Sequence, residues 1–316
     1  MAAKYVKLDQ RSHVLKRPGM YIGSIVPDNE TLWIYDSESK QIIQKQIEYV
    51  PGLYKIFDEI VVNALDQIKR LTFSSTTLKQ VKEIKVEINR DEGKISVYND
   101  GDGIEVNFNE KHQMYDPELI FGNMLTSSNY VQNDKLNIGG QNGIGSKACN
   151  IFSTEFSIET VDPVNKKIYK QTWTNNMLDK TEPTIEKYTK YPFTKITFVP
   201  DYEKFGLKGL TDDIASLFQK RVYDLCALTD AKIKVYFNDE VINIKGFEKY
   251  VELYNFQDDK PAFDSNDKWN VGAMFSDNGF QHMSFVNGIC TQKGGKHVEY
   301  ITNIIAKKLS ELIVKR

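Results

Sequence analysis

The stretch Gly139-Gly140-Gln141-Asn142-Gly143-Ile144-Gly145-Ser146-Lys147 runs directly into an apolar helix start at Ala148-Cys149. Four glycines within seven residues let backbone amides approach a ligand closely, because no side chain stands in the way. The helix behind them, expected to start at Ser146, offers free N–H groups and a positive dipole end, the combination that favours a phosphate. Lys147 adds a point charge. The spacing is not that of a Walker A loop, G-x-x-x-x-G-K-[ST], nor the dinucleotide pattern G-x-G-x-x-G after a strand. Further on, Gly294-Gly295-Lys296 imitates the end of a Walker loop, but His297 stands where Ser or Thr is needed. Taken singly, each glycine pattern is a weak signal.

Upstream, Leu53 to Arg70 reads as a helix. Leu53, Phe57, Ile60, Val61, Ala64, Leu65 and Ile68 recur at helical spacing, with Pro51-Gly52 as start punctuation. At 100° per residue, Glu59, Asn63, Asp66 and Arg70 share one narrow sector opposite the apolar face. Such a stripe is ordinarily a solvated face. Two features point elsewhere. Asn is a poor helix former, so a mid-helix Asn63 needs another reason. Glu59 and Asn63 lie one turn apart, a spacing that lets a carboxylate and an amide oxygen converge on a water or a metal ion. Mg²⁺ takes few protein oxygens and the rest from phosphates and water.

Ile84, Val86 and Ile88 alternate, then a turn over 89–94 leads to Ile95 and Val97, giving a strand pair. Its second strand enters Asn99-Asp100-Gly101-Asp102-Gly103, which alone is ordinary turn chemistry. Residues 105–142 are polar, glycine-rich in places and weakly periodic; a long irregular stretch of this kind is usually functional, often a lid. Strands are expected near 156–160, 167–173, 195–199, 232–237 and 241–244. Thr211 is an expected N-cap for a helix carrying Ile214, Leu217, Phe218, Val222 and Leu225. Residues 1–50 show only short apolar pieces and turn signals. Strands in runs with separate helices indicate an α+β sandwich rather than βαβ alternation. The polar, Pro-containing Asp258–Asp267 reads as a linker, with a strand-rich piece from Lys268 and a helix from Val298 onward.

Composition sets the outer limits. The chain has 316 residues, room for one large or two ordinary domains; 41% are hydrophobic, and the net charge of −2 with 27% charged residues excludes disorder as the overall state. No apolar run is long enough to cross a membrane, and the N-terminus has no apolar core of a secretory signal. Cys149, Cys226 and Cys290 are expected as reduced, buried thiols. The near-zero charge excludes a simple basic nucleic-acid coat, although Asn287 to Arg316 carries six Lys/Arg against two Asp/Glu. That local excess is open between a solvated helix face and a nucleic-acid contact.

The order of the pieces carries more than any one of them: a helix with Glu and Asn, a strand ending in N-x-G-x-G, a long lid, then G-x-x-G-x-G-x-K entering a helix. In this order the chain resembles the GHKL ATPase superfamily, and within it the N-terminal ATPase region of type IIA DNA topoisomerases of the eukaryotic kind. The branch-specific strings are Arg17-Pro-Gly-Met-Tyr-Ile-Gly23, Val50-Pro-Gly-Leu-Tyr-Lys-Ile-Phe-Asp-Glu-Ile60, Leu125-Thr-Ser-Ser-Asn-Tyr130, Cys149-Asn-Ile-Phe-Ser153 and Ser284-Phe-Val-Asn-Gly288. The likeness extends over essentially the whole chain.

The resemblance implies a GHKL (Bergerat) fold: a mixed sheet with helices on one face, residues 1–258 with an N-terminal arm and an ATP lid at about 105–142, then residues 259–316 as the first part of a transducer domain. It implies ATP and Mg²⁺ as ligands. By similarity Glu59 is the general base, Asn63 the Mg²⁺ ligand, and Asp66 stands at the pocket edge. Asn99 matches the position that reads adenine, where many superfamily members have Asp. Ser127, Ser128 and Asn129 match contacts to ribose or phosphate. Gly140, Gln141, Asn142, Gly143, Ile144, Gly145, Ser146 and Lys147 match the phosphate wrap, and Thr194 the motif beneath the adenine. Tyr5 matches an arm that crosses to a partner subunit. The implied partners are a second copy on ATP binding and double-stranded DNA in the intact enzyme, with no membrane. The implied location is the nucleus, or host cytoplasm and virion for a viral gene. The family's switch lysine and DNA-cleaving tyrosine are expected beyond Arg316, which makes the chain an expected fragment. Gln292-Lys293 resembles the switch-lysine loop only superficially. A dimerisation clamp with little turnover, and other GHKL branches, are the rival readings.

Overall fold

The computed structural model describes residues 6–126, 139–140, 143–254 and 260–314. Helix α1 (Gln10–Lys16) starts at Asp9, whose carboxylate accepts from the Ser12 N–H at 2.9 Å. An antiparallel hairpin follows, β1 (Asp28–Asp36) with β2 (Gln41–Tyr49). Little in the residue pattern marks it, because apolar alternation is interrupted through the exposed middle of β2.

Helix α2 (Pro51–Phe73) is longer than the expected 53–70. Proline at its first position has no N–H to leave unpaired. Gly52 is required there, since a β-carbon would come within 2.9 Å of the Ser24 carbonyl. The apolar side of α2 is buried through Leu53, Ile56, Phe57, Ile60, Val61, Ala64 and Leu65. Phe57 stacks on Phe218 with ring centroids 4.1 Å apart; truncating such a ring typically costs about 3–5 kcal/mol.

The remaining elements of the first compact unit, Met1–Asn255, are β3 (Glu83–Asn89), β4 (Lys94–Asp100), β5 (Phe108–Asn109), β6 (Met114–Tyr115), α3 (Asp116–Gly122), α4 (Gly145–Ile151), β7 (Ser153–Asp162), β8 (Lys167–Thr174), β9 (Asp179–Lys180), β10 (Thr184–Lys187), β11 (Phe193–Pro200), α5 (Asp212–Leu228), β12 (Lys234–Phe237), β13 (Glu240–Val241) and α6 (Gly246–Val251). Thr211 caps α5, accepting from the Ile214 N–H at 3.3 Å. The β5–β6 hairpin and α3 fall inside the stretch expected to be irregular. Asp116-Pro117 starts α3, with proline again in its first turn.

Nine strands form one sheet in the order β10-β8-β7-β11-β4-β3-β12-β13, with β9 on β8. Neighbours are antiparallel except β12, which runs parallel to β3, so the sheet is mixed. Cross-strand rows show how it is used. Ile88, Ile95, Phe198 and Phe156 form one row and Val86, Val97, Ile196 and Ile158 the next. All eight are buried, so this is the face the helices cover. The opposite face carries Lys195 with Glu87 and Lys170 with Glu159 as partly exposed ion pairs, the alternation of a sheet with one solvated side. The architecture is α+β.

The second unit, Phe256–Arg316, contains β14 (Ala262–Ser265), β15 (Asn270–Ala273), β16 (Phe285–Val286), β17 (Ile289–Cys290) and α7 (Lys296–Val314). Here the expected linker is partly strand. The Asn266 side chain accepts from the Lys268 and Trp269 N–H groups, which makes its polar residues a hairpin turn. Cys149 and Cys226 are buried free thiols, and Cys290 is only half-buried.

Candidate active site

One more row crosses the covered face of the sheet at its end: Ile84, Asn99, Thr194, Thr160 and Tyr169. Three polar residues replace the aliphatic ones of the rows beside it. Asn99 is 5% exposed and its Nδ2 donates to the Asp100 carbonyl at 3.0 Å. That leaves Oδ1 as the acceptor. The Thr194 and Thr160 hydroxyls lie 2.9 Å apart, and Thr160 Oγ1 also accepts from the Ile104 N–H at 2.9 Å.

The two acids after Asn99 have a different task. Asp100 Oδ1 accepts from the Lys82 and Glu83 N–H groups at 2.6 and 2.8 Å. Asp102 accepts from Leu78 and Lys79 at 2.6 and 2.9 Å. Together they hold the 78–83 segment against the strand end. Gly103 packs so tightly on β7 that a β-carbon would run into the Val161 carbonyl.

Helix α2 brings the polar sector to the glycine stretch. Asp66 is fully buried, and its two oxygens accept from the Gly139 and Gly140 N–H groups at 2.9 and 2.8 Å. This is not the solvated stripe that the spacing alone allowed. Burial pushes the Asp66 carboxyl above its ordinary range, opposed by those two bonds and by the charges of Arg70 and Lys69. A β-carbon on Gly140 would stand 3.1 Å from Asp66 Oδ2 and 3.6 Å from Asn63 Oδ1. Asn63 therefore shares this corner with Asp66. The Gly140 amide, expected on phosphate, here holds Asp66.

Glu59 lies one turn earlier on the same sector. The Lys55 ammonium is 2.5 Å from its Oε1, while Oε2 occupies the space a β-carbon on Gly145 would need. Gly145 heads α4, and Gly143 before it has φ +61°, a left-handed conformation that favours glycine. Ile144 packs on the core. Ser146 and Lys147 are buried at 8% and 2% exposure. Lys147 Nζ donates to the Thr126 carbonyl at 2.6 Å, and burial pushes its ammonium down to about 8.

The structure thus brings together Glu59, Asn63, Asp66, Gly140 and Gly145, with Lys147 following on α4 and Asn99 and Thr194 paired across β4 and β11. Tyr5, Ser127, Ser128, Asn129, Gln141 and Asn142 lie outside the described residues. Lys55 and Thr160 join the site without having been singled out from the sequence. The i,i+4 spacing of Lys55 and Glu59 was a readable sign.

Among the described residues, no three His, Cys, Asp or Glu side chains converge as a metal cage. The α2 sector offers instead the hard oxygens of Asn63 and Glu59. That donor set fits Mg²⁺, which draws most of its ligands from water and phosphate.

The ATPase region of Saccharomyces cerevisiae topoisomerase II, a crystal structure, superposes with a TM-score of 0.92 at 45% identity, covering 99% of this chain and 82% of that one. The chain belongs to the type II DNA topoisomerase family. DNA topoisomerase 2 of Penicillium chrysogenum is 44% identical over 329 residues, covering 100% of this chain and 20% of the relative. DNA topoisomerase 2 of Acanthamoeba polyphaga mimivirus is 45% identical over 324 residues, covering 99% and 25%. The DNA gyrase B family model matches residues 227–316. This type II topoisomerase chain therefore spans about a fifth to a quarter of those full-length relatives. Among its described residues, no helix is long and apolar enough to cross a membrane.

Proposed function

We propose that this chain binds ATP with Mg²⁺, hydrolyses it, and dimerises on ATP binding as the gate through which a type II topoisomerase captures a double-stranded DNA segment for strand passage. The observation that carries the reading is the seat of Glu59: a carboxylate between Lys55 and the glycine that opens α4. Phosphoryl transfer asks little of the protein beyond position and charge. Glu59 orients a water and takes its proton as the water oxygen bonds to the γ-phosphorus and the bond to the β,γ-bridging oxygen breaks. Asn63 Oδ1 would hold Mg²⁺, which when bound supplies charge neutralisation on the phosphate oxygens. Asn99 Oδ1 accepts from the adenine amino group, with Thr194 beside it. Gly143 to Lys147 face the phosphates.

Ser127, Ser128, Asn129, Gln141 and Asn142 complete the ribose and phosphate contacts in this reading, and Tyr5 serves the partner subunit's nucleotide. Residues 259–316 begin the transducer. The place of action follows the gene: nucleus for a cellular one, host cytoplasm or virion for a viral one.

Sedimentation of the chain with a non-hydrolysable ATP analogue and Mg²⁺ tests the gate. A monomer-to-dimer shift that needs the analogue, and is lost in Asn63→Ala, supports the reading. A sedimentation pattern indifferent to the analogue contradicts it.

A further inference from the structure

Four charged side chains are buried together where α2 meets α5. Asp58, Lys220, Arg221 and Asp224 are each at most 3% exposed. Arg221 Nε donates to Asp58 Oδ1 at 2.5 Å. Lys220 Nζ lies 2.9 Å from Asp224 Oδ1, and Arg221 Nη1 stands 4.0 Å from Asp224 Oδ2. The Tyr250 hydroxyl donates to Asp224 Oδ1 at 2.6 Å and meets the Tyr254 hydroxyl at 2.6 Å. Two acids and two bases balance in charge.

Stability is a poor reason for such a cluster. A buried ion pair recovers little beyond its desolvation cost, and apolar replacements of similar volume are often as stable or more so. What the pair does supply is direction, since a charged fork and a carboxylate meet in few orientations. Asp58 precedes Glu59 on α2, and their side chains leave the axis about 100° apart. Phe57, one residue earlier, stacks on Phe218 of α5. The turn of α2 that carries Glu59 is thus pinned to α5 by a ring stack and an ion pair, while Glu59 itself points to Gly145, where Oε2 fills the space a β-carbon would need. A rotation of that turn would carry the carboxylate off its seat.

We propose that Asp58 and Arg221 are positioning residues for ATP hydrolysis: their buried ion pair fixes the rotation of α2 that seats Glu59 against Gly145. The inference rests on the reading of Glu59 as the base. Their carboxylate and guanidinium meet each other inside the α2–α5 contact, so they act through Glu59. Binding of ATP, which uses Asn63, Asn99 and the glycine stretch, does not depend on them.

The test compares wild type, Glu59→Ala and the apolar double variant Asp58→Leu with Arg221→Met, reading thermal stability, KM and kcat for ATP, and analogue-driven dimerisation. The expected result is a folded double variant with KM within about twofold, dimerisation retained, and kcat lower by about 10- to 100-fold, the penalty of a misplaced group. Arg221→Lys keeps the charge without the fork and is expected to recover part of that kcat. It also serves as the test if the double variant does not fold, with kcat lowered severalfold at unchanged KM. A folded variant with wild-type kcat, or one whose loss lies wholly in KM, overturns the inference alone. Turnover that survives Glu59→Ala overturns the reading beneath it, and the inference with it.

Discussion

The Glu59 carboxylate occupies the position that a β-carbon on Gly145 would have to take. One residue is on the long helix, the other opens the short helix after the glycine stretch, and the two are 86 positions apart in sequence. The glycine is there because the acid is.

Gly145→Ala should therefore act on Glu59 rather than on the fold. The clash falls on the end of a side chain that can rotate aside. The variant is expected to keep its melting temperature within a few degrees and to lose turnover by about 100-fold, the scale of an ångström-sized misplacement. Steady-state phosphate release beside a thermal melt checks it. A variant that hydrolyses at the wild-type rate would show that the contact is irrelevant to chemistry.

Asp66→Asn removes an acceptor from two backbone donors. The amide has one acceptor oxygen and turns N–H toward N–H at the other site. Leaving a buried donor unmet costs about 1–3 kcal/mol, and here it is paid locally by the Gly139–Gly140 segment. Hydrogen exchange at those two amides should accelerate while exchange in the sheet holds. Unchanged protection would mean that Asp66 does not organise the stretch.

How much of this was legible follows from the range of each interaction. Glu59, Asn63 and Asp66 could be placed on one sector because the helical period is local, and Asn99 at a strand end because alternation is local. That Asp66 is buried could not be read, since what covers it arrives from residues 139 and 140. Lys147 looked like a free charge, yet its ammonium ends on the Thr126 carbonyl. Lys220, Arg221 and Asp224 carried no local sign of burial, and packing against Asp58 and Tyr250 puts them inside. The hairpin over 28–49 and the strand at Ala262 escaped for a different reason: their polar residues carry no period that separates strand from turn.

Lys147 makes a pH prediction. Its ammonium ordinarily titrates at 10.5, and burial in the folded chain pushes that down to about 8. Between those values the unfolded state holds more protons, so stability rises with pH, and the contribution is lost as pH falls through about 8. Denaturation at about pH 7.5 and pH 9.5 should show wild type gaining on Lys147→Met, by up to about 1.4 kcal/mol per pH unit. Parallel pH profiles would place the ammonium in solvent.

Asn99→Ala should raise KM for ATP by about 10- to 100-fold, the equivalent of about 1–3 kcal/mol for a lost buried hydrogen bond. Asn99→Asp, which keeps an acceptor toward the adenine amino group, should lose less. Titration with ATP and GTP checks this. Equal losses for both nucleotides in Asn99→Ala would mean that the side chain does not read the base.

The central claim is that Glu59 activates water in a site the rest of the chain assembles. Its most direct test is ATP-dependent phosphate release by the chain beside Glu59→Ala, at saturating nucleotide and Mg²⁺, with analogue-driven dimerisation measured on both. Turnover is expected in the parent, none above background in the variant, and dimers in each. Phosphate release that persists in Glu59→Ala would contradict it.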